Sequence, residues 1–558
     1  MRWGHFVVGG LLIATGCKSS SNGNQTPDAS NDNILSCARV TDCMAGDDCC
    51  PAGCTNATDG DCSASCGDGT LDPNETCDPP DSCPTSCGDG DVCTADVVAG
   101  SSANCNVACG HTPITTCGGQ DGCCPSSCDS NNDPDCPPPA GTALTDRLTV
   151  TSVTAPAGVL AGDGNYRIWG SSSLGVAPVF TIPFADCGTL VGYTTGTTTA
   201  PRARVARLDA GDQLVTTYDL GQFVLRGLAA EPDGHFAALL WDIAPNPKSL
   251  HVTRYTSNGS AGWTTSLDNT IAMPTDFTIG ESRLEYGGTK YTAYFHVHGI
   301  SGTFNGHEGD QLHTLAAATG ADTVGWDWGC SHSMSELLRF SPSANLTLPA
   351  CVTDCYPGTT PDNSSMPFLN TSIGGVYLNH SEKKVRDFDG ACNGKVAAEL
   401  GSLAPASAGW KLVFNGHQNA ATLGQSSYST STMNQDIGFV SVANNKTPGT
   451  IVWLTTTTGN EANSSIARWQ PMGGTGEQYV VGWSSGTTYN LARISDTGAL
   501  LEGPTAITTA KWGARSDPFR EHLNQDVVWA WFDSAGSTTL KLARLRSGGT
   551  APSCAALP

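Results

Sequence analysis

Histidine is concentrated in one part of this chain. Five of its twelve histidines lie within residues 294–332, and the stretch opens with the segment 294–298, Tyr-Phe-His-Val-His. His296 and His298 alternate along a predicted strand, so their side chains point to the same face. The following segment 306–310, Gly-His-Glu-Gly-Asp, is a glycine-bounded loop, the kind of connection where functional residues concentrate. This stretch is the main candidate for a functional site.

A metal site is the first chemistry compatible with these residues. His296 and His298 could share one ion with a further imidazole, and imidazole ligands suit Zn or Cu. The candidates for the further ligand are His307, His313 and His332.

Proton transfer is the second possibility. A general acid/base site would pair Tyr294 with His296, His298 or His332. This pairing resembles the His/Tyr pairs of β-propeller polysaccharide lyases, and the resemblance implies an enzyme that cleaves a polysaccharide.

Carbohydrate binding is the third possibility. Trp326 and Trp328 offer flat stacking surfaces, while Glu308, Asp310 and Asp327 could bond sugar hydroxyls. Against all three functional hypotheses stands a simpler interpretation, in which these residues pack between strands and form turns. The sequence does not decide between them.

The sequence pattern predicts a mainly β fold for the region that must position these residues, from about residue 143 to 558. Short apolar strands ending in an aromatic residue recur with polar, glycine-containing turns, at 235–259, 478–498 and 526–545. Weaker copies occur at 165–184, 289–298 and 410–454. Irregular repetition of four-stranded units predicts a β-propeller of six to eight blades, about seven. A pair of β-sandwiches is the alternative.

Residues 37–136 form a cysteine-rich module that contains a repeat. Five cysteines and a proline between Cys43 and Cys62 recur with identical spacing between Cys117 and Cys136. With few branched or aromatic residues, the module predicts a fold held by disulfides, since covalent links must replace a hydrophobic core. Zinc binding is the competing interpretation. The module resembles the cysteine-rich, Asp-Gly-rich repeats of myxobacterial surface proteins, which implies a disulfide-rich extracellular stalk.

Carboxylates on short loops of this module suggest a possible calcium site. Asp59 and Asp61 lie in one repeat, and Asp133 and Asp135 lie in the other. Oxygen clusters suit Ca²⁺, although neither loop fits the EF-hand pattern. The alternative is that these residues serve turns and solubility.

The first residues have the layout of a signal peptide. Arg2 precedes a short apolar run, and Ala14-Thr-Gly-Cys17 follows it. This motif resembles the bacterial lipobox, which implies cleavage after residue 16 and acyl chains, palmitate among them, on Cys17. Several chains on one residue would anchor the protein stably in a membrane. The expectation is an outer-membrane or cell-surface lipoprotein.

The chain is therefore divided into five segments. Residues 1–16 are a signal peptide, 17–36 a flexible tether, 37–136 the disulfide-rich module, 137–142 a Pro-rich hinge, and 143–558 the propeller. Residues 17–140 hold 19 acidic and two basic residues, and so acidic a surface argues against nucleic acid as a partner. The expected partners are the membrane, through the lipid, and an extracellular polysaccharide or surface protein. Recognition is the preferred function, a polysaccharide lyase the alternative, and a structural envelope component the third possibility.

Removing the sulfur of Cys17 tests the lipid anchor. We expect Cys17→Ser, expressed with its signal peptide in a Gram-negative host, to move from the membrane fraction to the soluble fraction and to lose palmitate labelling. Ser19→Ala is the matched control and should stay labelled and membrane-bound. A Cys17→Ser chain that remains labelled would show that the lipobox interpretation is wrong.

Overall fold

The computed structural model describes most of the chain after residue 75. The described residues are 42, 43, 46, 58, 66, 75–117, 121–125, 127, 128, 133, 135, 136, 143–162, 175–243, 248–267, 277–299, 308–329, 335–353, 375–378, 383–387, 398–418, 434–471, 475–513 and 517–548. Two compact units are present, one of residues 1–84 with 99–108, the other of residues 85–98 with 109–558. The expected signal peptide, tether and hinge lie outside the described residues. Within the described part, no helix has the length and apolarity needed to cross a membrane.

Disulfides hold the cysteine-rich region together. In the first unit, Cys66 pairs with Cys105 and Cys77 with Cys83, and Cys77 and Cys83 form a small buried cluster with Val107. The second unit contains the pairs Cys87–Cys109, Cys93–Cys123, Cys117–Cys128 and Cys124–Cys136. Among the described residues of this region, the secondary structure consists of strands β1 (Thr94–Ala99) and β2 (Ala108–Pro113) and two short 3₁₀ turns, Pro80–Ser82 and Ser102–Asn104. These disulfides confirm the predicted disulfide-rich region. In such a region, covalent links take the place of a hydrophobic core.

Six four-stranded antiparallel sheets, numbered here as blades 1 to 6, follow one another along the chain. Blade 1 contains β4 (Phe180–Pro183), β5 (Thr189–Thr197), β6 (Ala200–Leu208) and β7 (Leu214–Gly221). Blade 2 contains β8 (Val224–Ala230), β9 (Phe236–Asp242), β10 (Ser249–Tyr255) and β11 (Ala261–Ser266). Blade 3 contains β12 (Phe277–Gly287), β13 (Lys290–Gly299), β14 (Glu308–Ala316) and β15 (Asp322–Gly329).

The next three blades repeat the pattern. Blade 4 contains β16 (Ser335–Ser341), β17 (Leu346–Thr353), β18 (Gly375–Leu378) and β19 (Lys383–Asp387). Blade 5 contains β20 (Ala398–Ala406), β21 (Gly409–Gly416), β22 (Asp436–Val442) and β23 (Val452–Trp453). Blade 6 contains β24 (Glu461–Arg468), β25 (Gln478–Ser485), β26 (Thr488–Ser495) and β27 (Leu500–Ile507).

A further four-stranded sheet, the closing sheet, joins the two ends of the propeller. It contains β28 (Arg520–Glu521), β29 (Val527–Phe532), β30 (Thr539–Leu545) and, beside β30, the early strand β3 (Leu148–Thr154). The seven residues of β3 pair antiparallel with β30 along its full length. The structure therefore has six blades of consecutive strands and not the expected count of about seven, because the last sheet is completed by the early strand β3.

The first strands of all these sheets surround one central channel. A cavity of about 390 Å³ is lined by residues of β4, β8, β12, β16, β20, β24 and β28. A ring of sheets around a channel is the β-propeller architecture, so the prediction of a mainly β propeller is confirmed and the alternative of two β-sandwiches is wrong. The apolar side chains pack between neighbouring sheets: one cluster joins blades 2 and 3, and another joins blades 4 and 5.

The two ends of the propeller carry different connections. Because strands alternate in direction, the first-to-second and third-to-fourth connections of each blade lie at one end, here called the turn end. The second-to-third and blade-to-blade connections lie at the other, the loop end. The strand ends that flank the longest connections between described propeller strands, 155–179, 354–374 and 417–435, all lie at the loop end. Long connections are where binding residues concentrate.

A buried ion pair fastens the closing sheet to blade 1. Arg544 of β30 donates from Nε and Nη2 to Asp212, at 2.9 and 2.6 Å, and its Nη1 lies 3.3 Å from Asp526. Asp212 lies in the turn between β6 and β7, and all three side chains are at most 4 % exposed. The contact therefore links the last sheet of the ring to its first blade.

Arg544→Met tests this link. The substitution leaves two buried carboxylates without their cation, and we expect the free energy of unfolding to fall by about 3–5 kcal/mol, measured by denaturant titration. Lys541→Met on the same strand is the control. Lys541 forms an exposed pair with Asp533, at 2.7 Å, so its loss should cost less than about 1 kcal/mol. Equal losses for the two variants would contradict the role given to Arg544.

Candidate functional site

The candidate residues come together at the loop-end corner of blade 3. Across β13 and β14, the backbone of His298 pairs with Glu308 and that of His296 with Asp310. On the outer strand, Asp327 pairs with Gln311 and Trp326 with Leu312. Thus the end of β13, the start of β14 and the end of β15 form one corner. Of the remaining candidates, Trp328 lies on β15 as well, and His307 and His332 lie outside the described residues.

Strand β13 separates an apolar face from a polar one. Tyr291, Ala293, Phe295 and Val297 belong to the cluster shared with blade 2. Tyr294 instead packs with Leu312 and with Leu338 of β16, the first strand of blade 4. The alternation of a strand therefore places Tyr294 and His296 in the interface between blades 3 and 4.

Six polar side chains meet at this interface, and we call them the buried polar cluster: Glu281, Arg283, Tyr294, His296, Asp310 and Glu336. All six are at most 2 % exposed. The Tyr294 hydroxyl donates to Asp310, and His296 Nδ1 lies 3.3 Å from Glu336 Oε1. Arg283 donates to Glu281 at 2.7 Å. Buried polar groups persist only when they have partners, and these three contacts give each of the six side chains a polar neighbour.

The environment of Tyr294 fixes its protonation. Burial, together with the negative charges of Asp310, Glu336 and Glu281, raises the pKa of Tyr294 well above its ordinary value. The phenol therefore keeps its proton and acts as a hydrogen-bond donor. A tyrosine that serves as a general base needs the opposite shift.

His313 does not belong to this cluster. It pairs across the sheet with Ala293, on the apolar side of β13, and stacks on Phe295 with ring centroids 5.7 Å apart. Its Nδ1 lies 2.8 Å from Asp322. His313 and His296 thus lie on opposite faces of the blade, and they cannot bind one ion together.

Metal-ligating groups gather at one place in the described part of the chain, and it is not the histidine corner. Asp89, Asp96 and His111 of the cysteine-rich region offer ligand atoms within 4.8 Å of one another. His111 Nδ1 lies 2.7 Å from Asp96 and 3.3 Å from Asp89. These two carboxylates raise the pKa of His111, and all three side chains are exposed.

The calcium candidates are engaged in protein contacts where the structure describes them. Asp135 accepts hydrogen bonds from the backbone of Asp121 and Gly122, at 2.9 and 3.0 Å, and pairs with Arg546 at 3.0 Å. Asp133 accepts the backbone N–H of Asp135 at 2.9 Å. These contacts are those of turn and ion-pair residues. Asp59 and Asp61 lie outside the described residues.

Sequence reasoning missed three members of the cluster, Glu281, Arg283 and Glu336. The signal for the first two was available, because charges alternate along 281–285 (Glu-Ser-Arg-Leu-Glu) in an otherwise apolar strand. Glu336 had no such signal, since only the packing of blade 4 on blade 3 brings it to His296. A Gly-x-Ser-x-Gly pattern at 482–486 lies mainly on β25 and not in a strand-to-helix turn, so it is no nucleophile elbow.

No protein-family model matches this chain, and no curated protein matches it. Among solved structures, the chain is similar to the polysaccharide lyase Uly1, at 8% identity and a TM-score of 0.40, over 71% of this chain and 99% of that one. It is also similar to an α-L-arabinanase of Penicillium chrysogenum, at 10% identity and a TM-score of 0.35, over 71% and 98%. A third is the β-propeller domain of the Trilobed protease of Pyrococcus furiosus, at 7% identity and a TM-score of 0.36, over 68% and 97%. These likenesses are too distant to assign an activity.

Tyr294→Phe tests whether the buried polar cluster stabilises the interface between blades 3 and 4. The change leaves the Asp310 carboxylate without this donor, and we expect the free energy of unfolding to fall by about 1–3 kcal/mol. Tyr286→Phe is the matched control, because the Tyr286 hydroxyl bonds the Gly288 carbonyl in an exposed position, at 2.7 Å. A loss no larger for Tyr294→Phe than for Tyr286→Phe would contradict the prediction.

Proposed function

We propose that this protein is a lipid-anchored, cell-surface β-propeller that recognises a polysaccharide at the loop end of blades 3 and 4. The observation that carries the proposal is the convergence at that corner of Trp326, Trp328 and Asp327 with the strand ends that bear His298 and Glu308. The long connections of the propeller lie at the same end. Stacking aromatics with adjacent carboxylates are the groups that bind sugars.

The buried polar cluster supports recognition by holding the corner rigid. Tyr294–Asp310 ties β13 to β14 within blade 3, and His296–Glu336 ties β13 to β16 of blade 4. A binding surface on connections needs fixed strand ends beneath it, since ordering them on binding would reduce affinity. The cluster is therefore interpreted as a support for the site and not as its contact surface.

A polysaccharide lyase is the second candidate, and one observation favours it. Tyr294, His296 and Arg283 converge, as a lyase site requires. The raised pKa of Tyr294 argues against this phenol as the base, which leaves His296 for that role with Tyr294 as proton donor. All three side chains are buried, whereas a base must reach the proton it removes. Recognition is thus the better-supported function.

The membrane attachment rests on the sequence around Cys17, and the cysteine-rich region supplies a spacer. Its closely spaced disulfides suit an oxidising compartment outside the cytoplasm. A protein partner or a structural role in the envelope would use the same anchor. The binding experiment separates these possibilities.

Trp326→Ala tests recognition. The purified chain is immobilised and exposed to an array of bacterial and algal polysaccharides, and affinities are measured for each positive. We expect Trp326→Ala to weaken binding about tenfold or more, because aromatic anchors dominate such contacts. Trp263→Ala, on the outer strand of blade 2, is the matched control and should bind like the wild type.

The same mixtures are followed by ultraviolet absorbance, which rises when a lyase forms unsaturated sugar ends. If the absorbance rises with the wild type but not with His296→Ala, the proposed recognition function is wrong and the protein is a lyase. Absence of polysaccharide binding, or equal binding by Trp326→Ala and the wild type, would contradict the proposed site.

A further inference from the structure

The turn end of the central channel contains a second polar site. Its cavity of about 390 Å³ has mostly apolar walls, which include Phe340 and Phe519. Charged side chains interrupt these walls, among them Arg339 and Arg520. This cavity lies at the end of the propeller opposite to the proposed polysaccharide site.

Two of its arginines are matched by two carboxylates. Arg339 lies 2.6 Å from Asp517 and 3.9 Å from Glu285. Arg520 lies 3.3 Å from each of the same two carboxylates. Asp517 and Glu285 are thus neutralised as a group by Arg339 and Arg520.

The third arginine of the cavity, Arg468, also has a carboxylate partner. Arg468 lies 3.5 Å from Glu477, and Glu477 accepts two hydrogen bonds from Ser407, both at 2.8 Å. His522 adds no charge, because burial and the Arg544 cation lower its pKa to about 4. Its Nε2 lies 3.0 Å from the Gly188 carbonyl oxygen.

Glu521 is the carboxylate of this cavity that the pairs above leave without an arginine. It lines the cavity, and among the residues that the structure describes its carboxylate forms no hydrogen bond and no ion pair within 4.0 Å. The cavity and its paired groups therefore hold three arginines, 339, 468 and 520, against four carboxylates, 285, 477, 517 and 521. The charge of Arg283 also acts on Asp517, but Arg283 is offset by its own partner, Glu281. Burial raises the pKa of Glu521 to about 7, although the Arg468 charge lowers it. An unpaired carboxylate in a partly apolar cavity attracts a cation.

We propose that the turn end of the channel binds a small organic ammonium ion, with Glu521 as its counter-ion. The apolar walls exclude a strongly hydrated metal ion, which keeps its water shell, but they suit a hydrocarbon body. Phe340, which lines the cavity, offers an aromatic ring to the cation, an attraction that favours ammonium groups. This site is independent of polysaccharide recognition at the loop end.

Benzylamine and benzyl alcohol form the test pair, because they share size and ring but differ in charge. We expect calorimetric titration of the full-length protein at pH 8 to show benzylamine binding at least about tenfold tighter than benzyl alcohol, as an ion pair in a partly dry site requires. Equal affinities, or no binding of benzylamine at millimolar concentration, would overturn the proposal.

Glu521→Gln should lower benzylamine affinity to that of benzyl alcohol. Asp233→Asn is the control, since Asp233 lies in the β8–β9 turn at the same end and is 58 % exposed. It changes the net charge equally and should leave binding intact. Thermal unfolding of both variants checks that they are folded, and undiminished binding by folded Glu521→Gln refutes the proposed counter-ion.

Acidification provides an independent measurement. Benzylamine stays charged between pH 8 and pH 5.5, whereas Glu521, with its pKa of about 7, becomes neutral. Benzylamine affinity should therefore fall as the pH falls through this window. Burial also raises the pKa of Asp517, to about 6, so the informative quantity is the part of the pH dependence that Glu521→Gln removes. An identical pH profile for the variant would contradict the assignment.

Discussion

Closure of the ring is the constraint on which the rest of this structure depends. Strand β3 precedes the six blades in the sequence and β30 follows them, so their pairing closes the ring. The Arg544–Asp212 pair then fastens the closing sheet to blade 1. Such distant contacts form only after a large entropic cost of loop closure. Once they form, each of the described propeller sheets packs against two neighbours.

Closure also explains why so many charges are buried. The first strands of all the sheets converge on one channel, so many of their polar side chains are shielded from bulk water. They pair with each other instead, as Arg339 does with Asp517 at the turn end and as Arg283 does with Glu281 in blade 3. Buried pairs add little net stability compared with apolar residues, but each fixes the relative position of two strands or two blades.

The two ends of the channel differ because the chain connects its strands differently at each end. Blade-to-blade crossings and the longest connections lie at the loop end, where the candidate polysaccharide site is supported by the Tyr294–Asp310 contact. The turn end has shorter connections, so the cavity beside Glu521 stays accessible. The two proposed sites therefore lie at opposite ends of one propeller.

The sequence by itself determined the local features. Spacing of cysteines predicted the disulfide-rich region, repeated strand and turn patterns predicted the propeller, and alternation on β13 placed His296 and His298 on one face. Tertiary structure alone decided which distant residues meet. It separated His313 from His296, brought Glu336 from the next blade, and left Glu521 with no partner among the described residues. The physical reason is that local patterns depend on neighbours in the chain, whereas side-chain contacts between blades depend on how the ring closes.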